Sequence, residues 1–453
     1  MQTDRRNLLR TMASAASAGA FLVVPRHVLG GAGYRAPSDK LNLAGIGIGG
    51  MGSTDLRNLS GENIVALCDV DDRYALPTFD RYPQARRYRD YRQLLEEQKE
   101  LDAVTIATPD HTHAVIALAA MKAGKHVRIQ KPMAHSVEEC RLLAEAARKN
   151  RLATQMGIQG HADEGIRLIC EWIWDGAIGE VRKVEAWCTL THFPWGHAWW
   201  SPMCGRRPSA TYDPPATLDW DLWLGGAPSR PYSPCYHPAV WRNWWDFGSG
   251  MLADRGCHTL DPVFTALKLS HPESVEAICS DLNDEAYPVA CIVNYQFPAR
   301  GSMPPLQVVW YDGLRPPRPE ELEPGRPLGH PEGGALFWGD KGKIVCGVYG
   351  ESPRLIPEEK MKSYKRPPKS IPRSVGHYQE WIQACRGGDP SGASFEYSSL
   401  FTEIIMLGNA AKRRNGVKLL WDGPAMRVTN DEEANRFLRK SYRAGWSLPV
   451  LGR

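Results

Sequence analysis

Residues 41–52, LNLAGIGIGGMG, constrain this chain more than any other stretch. An apolar run feeds into Gly47, Gly49 and Gly52, the first, third and sixth places of a G-x-G-x-x-G turn between a first strand and a first helix. Each glycine has a separate task. Gly47 allows the tight turn, Gly49 lets the backbone approach a pyrophosphate, and Gly52 lets helix pack on strand. The helix start, with Gly50 and Met51, then offers N–H groups to phosphates. A second apolar run, 63–68, closes on Asp69, roughly 20 residues after the turn, where an acid takes ribose hydroxyls. A carboxylate there repels a 2′-phosphate, so NAD is the expected cofactor. Arg73 leaves NADP open.

The rest of the first 156 residues alternates. Strands are expected at 101–108, 126–130 and 153–156, and helices at 91–99, 114–123 and 137–150. Such alternation predicts a doubly wound parallel sheet, with ligands at the carboxyl ends of its strands. That rule puts Thr108, Pro109, His113, Gln130 and Lys131 on one rim with the glycine turn. Beyond Gly157 the pattern changes. A helix at 164–175 precedes strands at 181–191, 274–282, 290–297, 306–311 and 343–348, which predict an open, mostly antiparallel sheet. Residues 312–334 and 352–373 read as exposed loops, and 377–386 and 399–415 as helices.

These pieces together resemble the glucose–fructose oxidoreductase/inositol dehydrogenase (Gfo/Idh/MocA) family. The resemblance rests on GIGGMG, the acid in ALCDVD, ATPDHTH, the strand-end QKP, and GSGMLADRGCHTLD at 248–261. It spans about residues 40–425 and implies three catalytic residues. Lys131 would hydrogen-bond the reacting oxygen, His258 would take the hydroxyl proton, and Asp254 would orient the substrate or the imidazole. Four residues apart, Asp254 and His258 would share a helix face. One departure stands out: Gln130 occupies the place where the family carries Glu. His113 is expected to cap or pack beneath the cofactor rim, and Asp261 to serve its helix.

The domains implied are an NAD(P)-binding domain at 40–156 and a substrate and oligomer domain at 157–425, followed by a tail at 426–453. An insertion at 192–247 holds most of the nine tryptophans between Trp187 and Trp245. Flat rings with polar tips suit stacking on sugars, and equally suit packing the insertion itself. Substrate contacts are expected among His192, His197, Tyr236, His237, Trp241 and Arg242. The histidine spacing matches no standard metal set, and no metal is expected. The tail, with Trp446 and Leu448, is expected to dock on a neighbour in a homo-oligomer.

Residues 1–32 read as a twin-arginine export signal: Arg5-Arg6, then leucines and an alanine-rich run. The translocase is thus an expected partner and the periplasm the expected location. No stretch suits a membrane span. The formal charge is +4, but residues 1–30 hold four Arg and one Asp, leaving the remainder close to neutral. That argues against nucleic acid as a partner. The 11 cysteines show no C-x-x-C, and Cys68, Cys170, Cys279 and Cys291 read as buried thiols, with Cys204 and Cys235 as the one possible pair. The functional expectation is a periplasmic oxidoreductase acting on a sugar, glycoside or cyclitol hydroxyl, with a tightly held, recycled cofactor. The alternatives are a glycosidase-type hydrolase or lyase working through transient oxidation, and a non-catalytic sugar-binding protein.

Overall fold

Six short apolar runs build the first sheet: β1 (Asn42–Ile46), β2 (Asn63–Cys68), β3 (Arg86–Tyr88), β4 (Ala103–Ile106), β5 (His126–Gln130) and β6 (Thr154–Gly157). The computed structural model describes residues 36–192, 196–197 and 205–449; at 37, 191, 192, 196 and 197 it describes the backbone alone. The export signal and Cys204 lie outside the described residues. The strands run β3-β2-β1-β4-β5-β6, every pairing parallel. Helices α1 (Gly50–Asn58), α2 (Asp72–Arg81), α3 (Tyr91–Glu97), α4 (Asp110–Lys122) and α5 (Val137–Asn150) make the crossovers. All four residues of β4 are buried, as a strand covered on both faces requires. The strand order reverses between β1 and β4, which opens a crevice at their carboxyl ends.

Helix α4 starts four residues earlier than the apolar spacing suggested. Pro109 sits in extended conformation before it, and Asp110 is its first residue. A proline at a helix entrance has no N–H to waste, and an acid in the first turn meets the positive end of the helix dipole.

The second domain begins with α6 (Glu164–Trp174) and β7 (Val181–Cys188). A small ladder, β8 (Thr191–His192) with β9 (Gly196–His197), and α7 (Trp220–Leu224) belong to the insertion. Three short helices follow: α8 (Gly250–Asp254), α9 (Gly256–Thr259) and α10 (Asp261–Ala266). Then come β10 (Ser274–Cys279), β11 (Cys291–Phe297), β12 (Leu306–Asp312), β13 (Gly333–Gly339), β14 (Gly342–Cys346) and β15 (Arg354–Ile356). Helices α11 (Glu358–Ser363), α12 (His377–Cys385) and α13 (Phe395–Arg413) precede β16 (Leu419–Asp422) and β17 (Arg427–Val428). The nine-stranded sheet runs β15-β14-β13-β7-β12-β11-β10-β16-β17 and is antiparallel except where β7 meets β12.

Two long-range returns fix the domains together. Helix α12 buries Trp381 and Ile382 in one cluster with Leu43 and Ile48 of the first domain. Helix α13 packs on α5, where Arg141 grips Glu403 through two nitrogens, each at 2.7 Å. Both expected loops are more structured than their composition implied. Leu322 and Leu328 are buried against Trp187, and the 352–373 stretch holds β15 and α11.

Two expectations are overturned. Cys279 and Cys291 are not free thiols: they stand directly opposite on β10 and β11, with Cα atoms 4.1 Å apart, and form a disulfide. Antiparallel register, invisible in the separate strands, brings them together. The tail expected on a neighbour packs its Trp446 on its own chain instead. Tyr442 bonds Glu139, Arg443 bonds Asp221, and Trp446 is 7% exposed beneath the Arg92 guanidinium.

The cross-strand bond closes a loop with a sequence separation of 12 residues. Cys279 and Cys291 should therefore resist alkylation under denaturing conditions until a reductant is added. Cys279→Ser should cost about 3 kcal/mol of stability in chemical denaturation.

Candidate functional site

The crevice begins at the glycine turn. Gly47 has φ +75°, and its N–H bonds the Cys68 carbonyl at 2.9 Å. A Cβ on Gly47 would stand 2.7 Å from the backbone of Thr108, and one on Gly52 would stand 1.9 Å from the Gly47 carbonyl. Neither position tolerates a side chain, because both obstacles are backbone. Asp69 accepts from the N–H groups of Ile48 (2.8 Å), Gly49 (3.3 Å) and Asp71 (3.1 Å). Burial raises its carboxyl, and these donors oppose the rise. Bare amides at a helix start, a carboxylate at the end of β2 and apolar walls fit a dinucleotide.

A cleft of about 1150 Å³ extends from this turn. Gly47, Gly49, Gly50, Met51, Asp69, Thr108, Pro109, Gln130 and Lys131 all line it. Gly52 works behind the lining. The cleft also takes in residues no local pattern indicated. Tyr74 lies over the turn, so that a Cβ on Gly49 would fall 2.2 Å from its ring. Trp223 from the insertion and Trp446 from the tail complete the wall.

At the other end, β5 delivers Lys131 and α8 delivers Asp254. The Lys131 ammonium donates to Asp254 Oδ1 at 2.5 Å and to its backbone carbonyl at 2.8 Å. Arg242 Nε approaches the same Oδ1 at 3.5 Å. Burial alone would raise the Asp254 carboxyl, but Lys131, Arg242 and Arg255 outweigh it and hold it well below the usual range. Asp254 thus spends its carboxylate on Lys131 rather than on His258. The shared helix face is interrupted too. Helix α8 ends at Asp254, and the His258 N–H bonds Arg255, three residues back.

His258 is 6% exposed and packs its ring 4.7 Å from that of Tyr349. Burial, aided by Lys131, keeps the imidazole neutral by lowering its affinity for a proton. Its Nδ1 has no hydrogen-bond partner among the described residues. His258 is not part of the cleft lining, although it feels the charges of Lys131 and Asp254.

Asp110, on the rim that the strand-end rule sets, lines the cleft too, although sequence reasoning gave it no role of its own. Burial pushes its carboxyl up to about 7, against the pull of Lys131 and Arg242 and with a push from Asp254. The signal was present in ATPDHTH, but an acid beside a helix start has an ordinary explanation in the dipole.

Two residues near the rim are engaged by the protein itself. Gln130 donates to both oxygens of Asp55 (3.0 and 2.8 Å), which also holds Arg128 at 2.7 Å and the Tyr378 hydroxyl at 2.9 Å. A glutamate here would face another buried carboxylate, which is a physical reason for the amide. The two ring nitrogens of His113 face the carbonyls of Pro132 (2.8 Å) and Thr108 (2.9 Å), and the neutral ring donates to one of them; the residue does not line the cleft. Burial pushes it down to about 4. It sits beneath the rim, between two of its segments.

Among the expected substrate contacts, Trp241 and Arg242 line the cleft. His237 lines it as well but is bonded to Asp71 at 2.8 Å. Tyr236 is not a contact: it is 2% exposed, in a small core with Trp223, Trp244 and Phe247. The side chains of His192 and His197 lie outside the described residues.

Residues 41–158 match the oxidoreductase family with an NAD-binding Rossmann fold, and 166–299 match that family's C-terminal alpha/beta domain. The chain belongs to the Gfo/Idh/MocA family. Its first domain is therefore an NAD-binding domain. Inositol 2-dehydrogenase of Salmonella typhimurium is 35% identical over 146 residues, which is 31% of this chain and 43% of that protein. The chain thus matches less than half the length of this curated relative. Among solved structures, the WlbA dehydrogenase from Bordetella pertussis, in complex with NADH and UDP-GlcNAcA, superposes with a TM-score of 0.59 at 17% identity. That match covers 84% of this chain and 99% of the other. The aldose-aldose oxidoreductase from Caulobacter crescentus, complexed with glycerol, gives 0.57 at 16%, covering 84% and 100%.

Asp110 yields a signed prediction. Its folded carboxyl titrates above its unfolded value of 3.8, so burying its charge makes stability fall as pH rises from about 4 to 7. Asp110→Asn should flatten that fall in denaturation curves measured across this range. A slope unchanged by the substitution would remove Asp110 as its source.

Proposed function

We propose that this chain is an NAD-dependent oxidoreductase acting on a CH–OH group of a sugar, glycoside or cyclitol. The observation that carries the reading is the Lys131–Asp254 pair on the cleft beside the glycine turn. Lys131, held by Asp254, donates a hydrogen bond to the reacting oxygen and favours its negative charge. A neutral buried His258 is suited to take the hydroxyl proton, once substrate connects it to the cleft. Trp241 and Arg242 offer a ring face and a guanidinium to the sugar. Bound NAD supplies the hydride acceptor.

A retained cofactor is part of the proposal. The Asp69 side of the cleft is walled by elements from outside its own domain. Leu218 pairs with Asp71, the Asp219 N–H bonds the Val70 carbonyl, and Trp446 closes over Arg92. Such a clasp slows escape of a nucleotide. Together with the twin-arginine signal it supports export of a folded holoprotein that reduces and reoxidises its own cofactor. A redox-neutral elimination, in which transient oxidation acidifies a neighbouring C–H, uses the same residues and is the second reading.

Purified protein should carry near-stoichiometric NAD, identified by chromatography after acid quench. Lys131→Met should keep that nucleotide and lower kcat by at least about 100-fold on a responsive sugar. An apoprotein with ordinary weak affinity for NAD would defeat the recycling proposal. Full activity of the variant would defeat the assignment of Lys131.

A further inference from the structure

A second cavity lies outside this site. About 980 Å³ of space is bounded by the start of α5, the end of α13, the insertion and the tail. Its charge is one-sided. Arg413, Arg436, Arg439 and Lys440 all line it, against one acid, Asp246. That acid is already engaged by Arg230. Elsewhere Arg439 meets Glu138 only at 3.6 Å, and Arg413 meets the fully exposed Asp284 only at 3.8 Å. Such long, exposed pairs cancel little charge.

Two of the cations are held in place rather than trailing in solvent. The Arg413 guanidinium lies 4.6 Å from the centre of the Trp245 ring and 5.0 Å from that of Phe437, which fixes its plane. Lys440 donates to the His111 carbonyl at 2.7 Å. Neutral polar groups share the lining. Asn409 is 6% exposed, and its Oδ1 has no hydrogen-bond partner among the described residues. Ser441 stands beside Lys440. The space is larger than an inorganic anion needs, and oriented guanidinium groups suit a planar or tetrahedral oxyanion.

We infer that this cavity binds an anionic saccharide, a sugar ring carrying a carboxylate or a sulfate ester. The cations meet the anionic group, and Asn409 and Ser441 meet hydroxyls. The site also reaches the backbone behind the cleft. Lys440 holds the carbonyl of His111, next to Asp110. His135 and Asn409 hold the carbonyls of Gly248 and Ser249, at the entrance to α8, each at 2.8 Å. An occupant therefore touches the groups that anchor Asp110 and Asp254. The inference stands apart from the proposed oxidoreductase activity, because it needs neither turnover nor nucleotide.

The test is calorimetric titration of the purified, full-length protein with D-glucuronate, glucose 6-sulfate, glucose and inorganic sulfate. One or both acidic sugars should bind, glucose should not, and rising salt should weaken the binding. Arg436→Gln, at an exposed position, and Arg413→Gln should each reduce affinity roughly tenfold while leaving the NAD content unchanged. Glucose binding as well as glucuronate, or inorganic sulfate matching both acidic sugars, would overturn the saccharide assignment. Acidic-sugar affinity that survives both substitutions would overturn the location.

Discussion

The ion pair between Lys131 and Asp254 is the point on which the rest of the site depends. One partner comes from the end of β5 in the nucleotide domain and the other from the end of α8 in the second domain. Both side chains are 16% exposed, so each charge is largely removed from water and needs the other. Breaking such a pair by removing one member costs about 3–5 kcal/mol, because the survivor is left buried and alone. The pair therefore does two things at once. It holds the domains in register across the cleft, and it fixes an ammonium donor where a substrate oxygen can meet it.

Support for that pair is layered outward. Helix α13 and its Arg141–Glu403 clamp hold the second domain against α5. His113 stitches the Thr108 and Pro132 segments together, so the loop that follows Lys131 cannot drift from the rim of β4. Gln130 ties the end of β5 to the buried Asp55–Arg128 pair. Each contact joins backbone segments that are far apart in sequence. Rigid strand ends, rather than loops, are what place charged groups to within tenths of an ångström.

The aromatic insertion has a double character. Among its described residues the rings largely satisfy one another: Trp220 stacks on Trp223 at 4.6 Å, and Tyr236 packs edge-on to Trp244 and Phe247. Having built its own small core, the insertion then presents Trp223, Trp241 and His237 to the cleft. The tail repeats this economy by spending Trp446 on the nucleotide end. From Leu218 to Phe247, a stretch that looks like a sugar-stacking surface in composition is largely a scaffold, with a few rings left over for the site.

The first sheet, the turn and the strand-end residues were readable from the chain because each depends on local order. A parallel strand buried on both faces must be an apolar run, and a turn against backbone must be glycine at Gly47 and Gly52. Lys131 and Asp254 could be named for the same reason: strand-end and motif positions are set within a few residues. Pairing and burial could not be read, since they depend on distant partners. Only the folded chain brings Cys279 opposite Cys291, turns Gln130 toward Asp55, seals Tyr236 inside the insertion and folds Trp446 back over Arg92. Sequence determined which chemistry was available. Tertiary packing decided which groups meet, because a desolvated charge or ring takes its role from its neighbours in space.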